Sequence, residues 1–517
     1  METVVTFFND IVWSAALVIL LVVTGLYFSI RMRLFQVRYI VDMARLLFKG
    51  GKSQEGISSF QAIAVSLAGR VGTGNIVGVS TAIFIGGPGA VFWMWLIAFL
   101  GAGSAFVEST LAQIYKQKED GQYRGGPAYY IEKGIGGTFG KYYALLFAVV
   151  TVLACGLLLP GIQANSISGA ATNAFPALEG WMIGVFVVII LAVVIFGGIR
   201  SIANVATAVV PFMAIAYILV AVIIVIMNIS EVPSLIALIF RSAFGLEQQF
   251  AGTVGAMIMI GVKRGLYSNE AGQGTGAHAA GAAEVSHPAK QGLVQAFSVY
   301  IDTLFVCTAT ALMILMTGMY NVSDGDGGLI IDNGVYQVNA DGERDVSGTV
   351  AFTQAGIDNS FHGMENFQEG FIGFGSYFIA FALLFFCYTT MLAYYYIAET
   401  NLVYMLRGRM PWLKYVLGLA LIASAFYGTV STAGLAWQMG DLGVGLMAWI
   451  NVIAILILQK PALRAFRDYE RQYKLQKQGK VDEIVYTPER EEFKDHNFWV
   501  DEYPRRDEEG YSYPDRN

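Results

Sequence analysis

The sequence predicts an all-α integral membrane protein of eleven transmembrane helices, one N-terminal helix followed by a 5+5 inverted repeat. Three observations predict it. The 517 residues are 55% hydrophobic and only 14% charged, with a mean hydropathy of +0.54, against roughly 25% charge in soluble domains. Eleven apolar stretches come near or exceed the roughly 20 residues that cross the hydrocarbon core. The Lys and Arg residues between them collect in alternate connections, as they do in cytoplasmic loops.

The first run, about 11–30, follows Glu2 and Asp10 rather than a basic stretch and has no cleavage site before Arg31. It reads as a retained helix, not a signal peptide, and with the next loop it makes up residues 1–56. Runs at about 57–85, 88–115, 140–170, 181–199 and 202–228 form a first set of five within 57–230. A second set, within 231–458, lies at about 248–283, 288–319, 371–405, 411–430 and 432–458, with an external loop at 320–367. Residues 459–517 are a cytoplasmic tail, read as a helix followed by a largely flexible end. Arg31, Arg33, Arg38, Arg45, Lys49 and Lys52 follow the first span, and Lys116, Lys118, Arg124, Lys133 and Lys141 the third. Arg200, Lys290, Arg407, Arg409 and Lys414 continue the pattern, whereas the alternate loops carry only Arg241 and Arg344. The N-terminus is therefore placed outside the cell membrane and the C-terminus in the cytoplasm.

Two interruptions stand out. Gly72-Thr73-Gly74-Asn75 breaks the second span, and a glycine-rich stretch from Gly261 to Gly276 breaks the seventh. Unwound backbone at membrane depth needs partners, so it survives only where protein buries it or a cavity receives it. The breaks occupy the first place in each set of five, the layout in which transporters hold a ligand near the midplane. For any single glycine, close helix packing is the competing reading.

Other chemistries find little support. The net charge of -6 resides in loops and tail, with no basic face for nucleic acid. Cys155, Cys307 and Cys387 fall in apolar segments without paired spacing and read as packing residues. No Walker sequence, nucleophile–base pair or zinc spacing occurs, so neither an ATP-driven pump nor an enzyme is expected, and no cofactor is implied. Glu284 to His287 has the Glu-x-x-His spacing of di-iron bundles, but in one copy where two are needed. Asp324-Gly325-Asp326-Gly327-Gly328 reads as a turn, and Val335–Val338 with Arg344–Val350 as a hairpin around Asp341-Gly342.

Residues 86–101, Gly-Gly-Pro-Gly-Ala-Val-Phe-Trp-Met-Trp-Leu-Ile-Ala-Phe-Leu-Gly, resemble the signature of the alanine or glycine:cation symporter family, the sodium:alanine symporters. Residues 69–76 (Gly-Arg-Val-Gly-Thr-Gly-Asn-Ile), residues 264–272, and Thr389-Thr390 with Tyr395, Tyr396 and Glu399 reinforce the likeness, which covers about residues 10–460. The resemblance implies the leucine-transporter-like (LeuT) fold and sodium-driven symport of small neutral amino acids such as alanine and glycine.

The residues suit that task. Freed N–H groups at a half-helix start offer donors and partial positive charge to a carboxylate, and Gly72, Thr73 and Gly74 would form the cradle. Asn75 could cap the outer half-helix, coordinate a cation, or simply satisfy unwound backbone. Sodium should favour carbonyl and hydroxyl oxygens. The resemblance assigns it the carbonyls of Ala68, Val71 and Phe386 and the hydroxyls of Thr389 and Thr390, with Thr390 also beside the substrate. Threonine bonding back to its own helix is the plainer alternative. Gln163 is expected to reach the substrate, with Asn165 and Asn173 binding neighbouring helices. Ile76, Met257, Gly261 and Tyr394 would wall the side-chain pocket, Tyr394 standing where family members often carry Trp.

Among intramembrane charges, Arg264 with Glu270 is a candidate inner-gate pair, while Lys263 could instead snorkel to the interface. Glu108, Glu284 and Asp302 are placed near the cytoplasmic ends of their spans. Two other readings stay open: proton coupling on the same fold, and a non-transporting or channel-like protein. The threonine pair, and the absence of a Lys or carboxylate beside the first break, favour sodium.

Overall fold

Helices dominate because a chain this apolar must satisfy its backbone internally within lipid. The computed structural model describes residues 2–48, 56–119, 121–247, 250, 254–338, 344–345, 348–360, 373–489, 493 and 497–503. Among them, eight helices are long and apolar enough to cross a membrane: Thr3–Arg31, Gly89–Ile114, Gly137–Ala174, Gly198–Met227, Pro288–Thr317, Phe374–Leu406, Leu413–Val430 and Ala433–Lys477. Ser59–Arg70 and Gly74–Gly86, bent by 51°, make nine if counted as one span. Gly180–Ile195 is apolar but shorter, and Val254–Asn269 followed by Thr275–Ala282 is interrupted. The protein is a multi-pass membrane protein. Residues 248–249, 251–253 and 371–372, at the starts of two expected runs, lie outside the described residues, as does the Asp341-Gly342 hairpin tip.

Local chemistry sets the boundaries that matter for function. Ser58 starts the Ser59–Arg70 helix with a reciprocal cap, its Oγ accepting from Gln61 N at 3.2 Å and its N–H donating to Gln61 Oε1 at 3.0 Å. Helix Pro288–Thr317 carries a π-helical stretch, Tyr300–Cys307, at its middle. Such widening frequently marks functional positions. Gly161 and Gly428 bring two helices backbone to backbone, since a methyl at Gly428 would fall on the Gly161 carbonyl.

The start of the first broken helix is stitched to the end of the second. Ile57 N–H donates to Ala282 O at 3.1 Å and Glu284 N–H to Ile57 O at 2.9 Å, forming a parallel bridge. On the opposite side, Thr81 meets Thr349 across 3.0 Å, and Asp324 closes the expected turn by accepting from Asp326 N and Gly328 N at 2.9 and 2.8 Å. Strands Gln337–Val338 and Arg344–Asp345 pair as the expected hairpin. Helices Val232–Ala243 and Val350–Ser360 were not anticipated.

The tail departs from expectation. Helix Ala433–Lys477 runs 45 residues without a stop, and the described part of the tail then folds back. Tyr486 N–H donates to Ser286 O at 3.0 Å, Asn497 Nδ2 to Ile114 O at 2.9 Å and Trp499 Nε1 to Gln113 O at 2.8 Å. Lys116 Nζ lies 4.5, 4.6 and 5.1 Å from the ring centres of Phe498, Tyr123 and Trp499, a cation–π cage. Burying those aromatic rings is what orders a segment whose charge pattern alone reads as flexible.

Candidate functional site

At the first break, side chains take over the work of the missing helical bonds. Gly72 N–H donates to Asn75 Oδ1 at 2.9 Å, Asn75 N–H to Gly72 O at 3.3 Å, and Thr73 N–H to Gln163 Oε1 at 3.1 Å. In a continuous helix Gly72 N–H and Asn75 N–H would bond the carbonyls of Ala68 and Val71. The break therefore turns those two carbonyls loose, and both aim at Thr390. Its Oγ1 lies 2.7 Å from Ala68 O, 2.9 Å from Phe386 O and 3.4 Å from Val71 O. One hydroxyl proton faces three acceptors. Such a surplus of oxygen lone pairs suits a hard cation. Thr389 does not point there in the same way: its hydroxyl bonds back to Phe385 O and Phe386 O, each at 3.0 Å.

Gly72 is hemmed in, for a Cβ there would sit 2.6 Å from Thr390 Oγ1 and 2.8 Å from Gln163 Oε1. Thr73 Oγ1 meets Ser166 Oγ. Gly74 lies against Ser268 Cα and the Tyr267 ring, at 3.0 and 3.2 Å from its would-be Cβ. Gln163 Nε2 also reaches Tyr267 hydroxyl at 3.5 Å, so one amide spans from the first broken helix to the second. Ile76 and Tyr394 are both buried in the surrounding core. Asn165 donates to Gly428 O and Ser431 O at 3.0 and 2.9 Å, and Asn173 to Gln354 at 2.5 Å.

Several expectations need correction. Gly261 is not part of the second break, because helix Val254–Asn269 winds through it. It instead allows close approach to helix Gly89–Ile114, with its would-be Cβ 2.5 Å from Trp93 Cβ and 2.6 Å from Ala90 O. Met257 packs beside Gly86, so neither residue faces Gly72. The break itself spans 270–274, where Glu270, Gly272 and Gly274 have φ of 56°, 88° and 90° and Asn269 Oδ1 accepts from Ala271 N at 3.0 Å.

The Arg264–Glu270 gate also gives way. Arg264 Nη2 pairs with Asp441 Oδ2 at 2.6 Å, and Lys263 Nζ joins the same oxygen at 2.8 Å. Arg264 further covers the Trp437 ring at 4.2 Å. Two cations one residue apart both reach Asp441 from helix Ala433–Lys477, a partner the local sequence could not disclose. Removing one side of a buried pair strands the other charge, at about 3–5 kcal/mol. Asp441→Ala is therefore expected to lower the thermal unfolding midpoint in detergent by several degrees, and an unchanged midpoint would show that this triad contributes nothing.

Asp302 is the residue that sequence reasoning misplaced. It sits at the middle of Pro288–Thr317, not near a cytoplasmic end. Its Oδ1 accepts from Asn75 Nδ2 at 2.6 Å, and its Oδ2 from Ser268 Oγ at 2.8 Å and Thr303 Oγ1 at 2.7 Å. One carboxylate thus ties both broken helices together, with Cys307 Sγ 3.4 Å from Asn75 and 3.2 Å from Ser268. The signal was available, since an isolated acid in an apolar run seldom lacks a role. Asn75 is accounted for by backbone and Asp302. Among the described residues no cluster of three His, Cys, Asp or Glu could hold a metal ion. His287 caps helix Pro288–Val299, accepting from Ala289 N at 3.1 Å.

A family model described as the sodium:alanine symporter family matches residues 1–483. The chain is 54% identical over 501 residues to YrbD of Bacillus subtilis (strain 168), covering 97% of this chain and 98% of that one. It is 47% identical over 468 residues, 90% and 99% of the two chains, to the sodium/proton-dependent alanine carrier protein of Bacillus sp. (strain PS3). To the sodium/alanine symporter AgcS of Methanococcus maripaludis it is 34% identical over 458 residues, 87% and 93% of the two chains. A broken, oxygen-lined helix pair in a multi-pass bundle agrees with that kinship, and the chain belongs to the sodium:alanine symporter family, as a transporter and not an enzyme.

Proposed function

We propose that the protein imports alanine, and small neutral amino acids such as glycine, by sodium-coupled symport with alternating access. The observation that carries this reading is the meeting of Ala68 O, Val71 O and Phe386 O at Thr390 Oγ1 beside an unwound helix. Sodium would sit among these oxygens, with Thr389 turning its hydroxyl from its own helix to join them. The substrate carboxylate would displace Gln163 and Asn75 from the N–H groups of Thr73 and Gly72. Ile76 and Tyr394 would then bound a small side-chain space, favouring alanine and glycine on size. Each added methylene would be discriminated by only about 1–3 kcal/mol. Relatives named for sodium and alanine support the choice of ion and substrate.

The topology we propose has eleven spans, N-terminus outside and C-terminus cytoplasmic, with inverted halves at 57–230 and 231–458 in the LeuT arrangement. The bridge between Ile57 and Ala283 supports it: a helix that starts on one side touches a helix that ends there. Proton coupling is the second reading. It is favoured by buried carboxylates at the two breaks, Glu270 in the second and Asp302, which lies 2.6 Å from Asn75 and so corrects the expectation that no carboxylate stands beside the first. A radiolabelled amino-acid uptake panel in proteoliposomes, with and without an inward sodium gradient, tests the assignment. Sodium-dependent, saturable alanine uptake is the expected result. Uptake that ignores sodium and follows a pH gradient would favour the second reading, and no saturable uptake would refute both.

A further inference from the structure

We propose that Glu270 is a proton-binding site of the transport cycle, loaded through a small water-sized cavity between the two broken helices. The proposal rests on the reading of the protein as a cation-coupled carrier and names where a second coupling ion would act.

The geometry begins with an incompletely used carboxylate. Glu270 is 1% exposed. Its Oε2 accepts from Thr275 Oγ1 at 2.8 Å, while Oε1 has no partner. A buried carboxylate with one donor is poorly served, because its second oxygen has given up water without gaining a partner. Glu270 lines a small cavity. Ser66, Gly69, Glu270, Thr275, Gly276 and Tyr396 are among the residues lining a cavity of about 10 Å³, close to the least that holds one water. A non-glycine residue with φ of 56° is uncommon, and this one opens the unwound stretch, so its side chain leaves the helix toward that cavity.

The charges around it do not balance. Arg70 faces Glu270 from the first broken helix, Glu108 from helix Gly89–Ile114 and Asp302 from helix Pro288–Thr317. Tyr396 of helix Phe374–Leu406 lines the cavity, and Tyr267 and Tyr394 also feel the Glu270 charge. Arg70 is itself 2% exposed, donating to Gln295 O at 3.1 Å and to Ser298 Oγ, with Nε and Nη2 unpartnered. One guanidinium lies within electrostatic range of three buried carboxylates and offers too little positive charge to offset all of them. Asp302 accepts from three donors and is the best equipped to stay ionised. Glu108 accepts from Asn451 Nδ2 at 2.8 Å, and its Oε1, like that of Glu270, has no partner. Glu270 combines such a vacancy with a place on the wall of a water-sized cavity.

Its position gives the proton a consequence. A Cβ at Gly69 would lie 3.3 Å from Glu270 Oε2, and Gly69 adjoins Ala68, whose carbonyl meets Thr390. Ionised Glu270 attracts Arg70 and draws the inner half of the second broken helix against the first. Protonation removes that attraction one residue from the proposed sodium ligands.

The test is sodium-driven alanine uptake in proteoliposomes across a pH series, with a pH-sensitive dye in the lumen. In the unaltered protein, uptake is expected to depend on pH and to acidify the lumen. Glu270→Gln is expected to keep sodium-dependent alanine counterflow and to lose both the pH dependence and the acidification. Identical pH profiles in the two proteins, or a pH-independent parent, would overturn the proposal while leaving sodium symport intact. Absence of sodium-dependent alanine uptake in the parent at every pH would instead refute the function on which it rests. If Glu270→Gln fails to fold, Thr275→Val removes the one donor to the charged form and is expected to move the profile to higher pH, and an unmoved profile would equally overturn it.

Discussion

Thr390→Ala is expected to raise the sodium concentration for half-maximal alanine uptake by ~10–100-fold, the range lost when even an indirect partner of a metal site is removed. The hydroxyl touches both freed carbonyls of the first broken helix as well as Phe386 O on its own helix. Its removal therefore disconnects the two elements that would share the ion. Thr390→Ser retains the oxygen and is expected to keep most of the sodium response. Thr389→Ala should have the smaller effect, because that hydroxyl rests on its own helix. Uptake measured against sodium decides the matter, with folded yield checked in parallel. Parent-like sodium dependence in Thr390→Ala would remove Thr390 from the ion site.

Gly72→Ala is expected to lower alanine uptake by ~100-fold, the scale on which a 1 Å misplacement of positioning groups acts. The added methyl would meet Thr390 Oγ1 at 2.6 Å and Gln163 Oε1 at 2.8 Å, closer than real carbon atoms approach. Gln163 can swing aside, but Thr73 N–H then loses its acceptor. Thr390 can turn only by abandoning the carbonyls. Overpacking of this kind also costs stability, about 1–3 kcal/mol, so a thermal midpoint must accompany the uptake rate. Gly255→Ala is the control, since its would-be Cβ meets nothing within 4 Å, and it is expected to transport normally. Normal uptake by Gly72→Ala would mean that the break is not where the ligand sits.

What the sequence disclosed follows from the range of the interactions involved. The first break was legible because Gly72, Thr73, Gly74 and Asn75 interrupt an apolar run, and interruption is a local property. The grouping of residues 68 and 71 with 386 and 390 was reachable through family likeness and helical spacing. The second break was misjudged at its start, since glycine at 261 packs closely against Trp93 while the turn proper depends on Asn269, Gly272 and Gly274. Partners set by tertiary structure stayed hidden. Arg264 lies six residues from Glu270 yet pairs with Asp441, and Asp302 finds Asn75 across 227 positions. The tail was opaque for the same reason, because Trp499 and Phe498 acquire meaning only once Lys116 is beneath them.

Two peptide bonds' worth of hydrogen bonding between Ile57 and the 282–284 segment constrain how that end of the bundle could widen in the proposed cycle. Either those links rupture at each turnover, or residues flanking both kinked rods swing as a single jaw. The second course spares the lipid-facing chain any newly bared amides, and it makes the opposing jaw, the one contributing Phe386 and Thr390, the surface from which the pair must part.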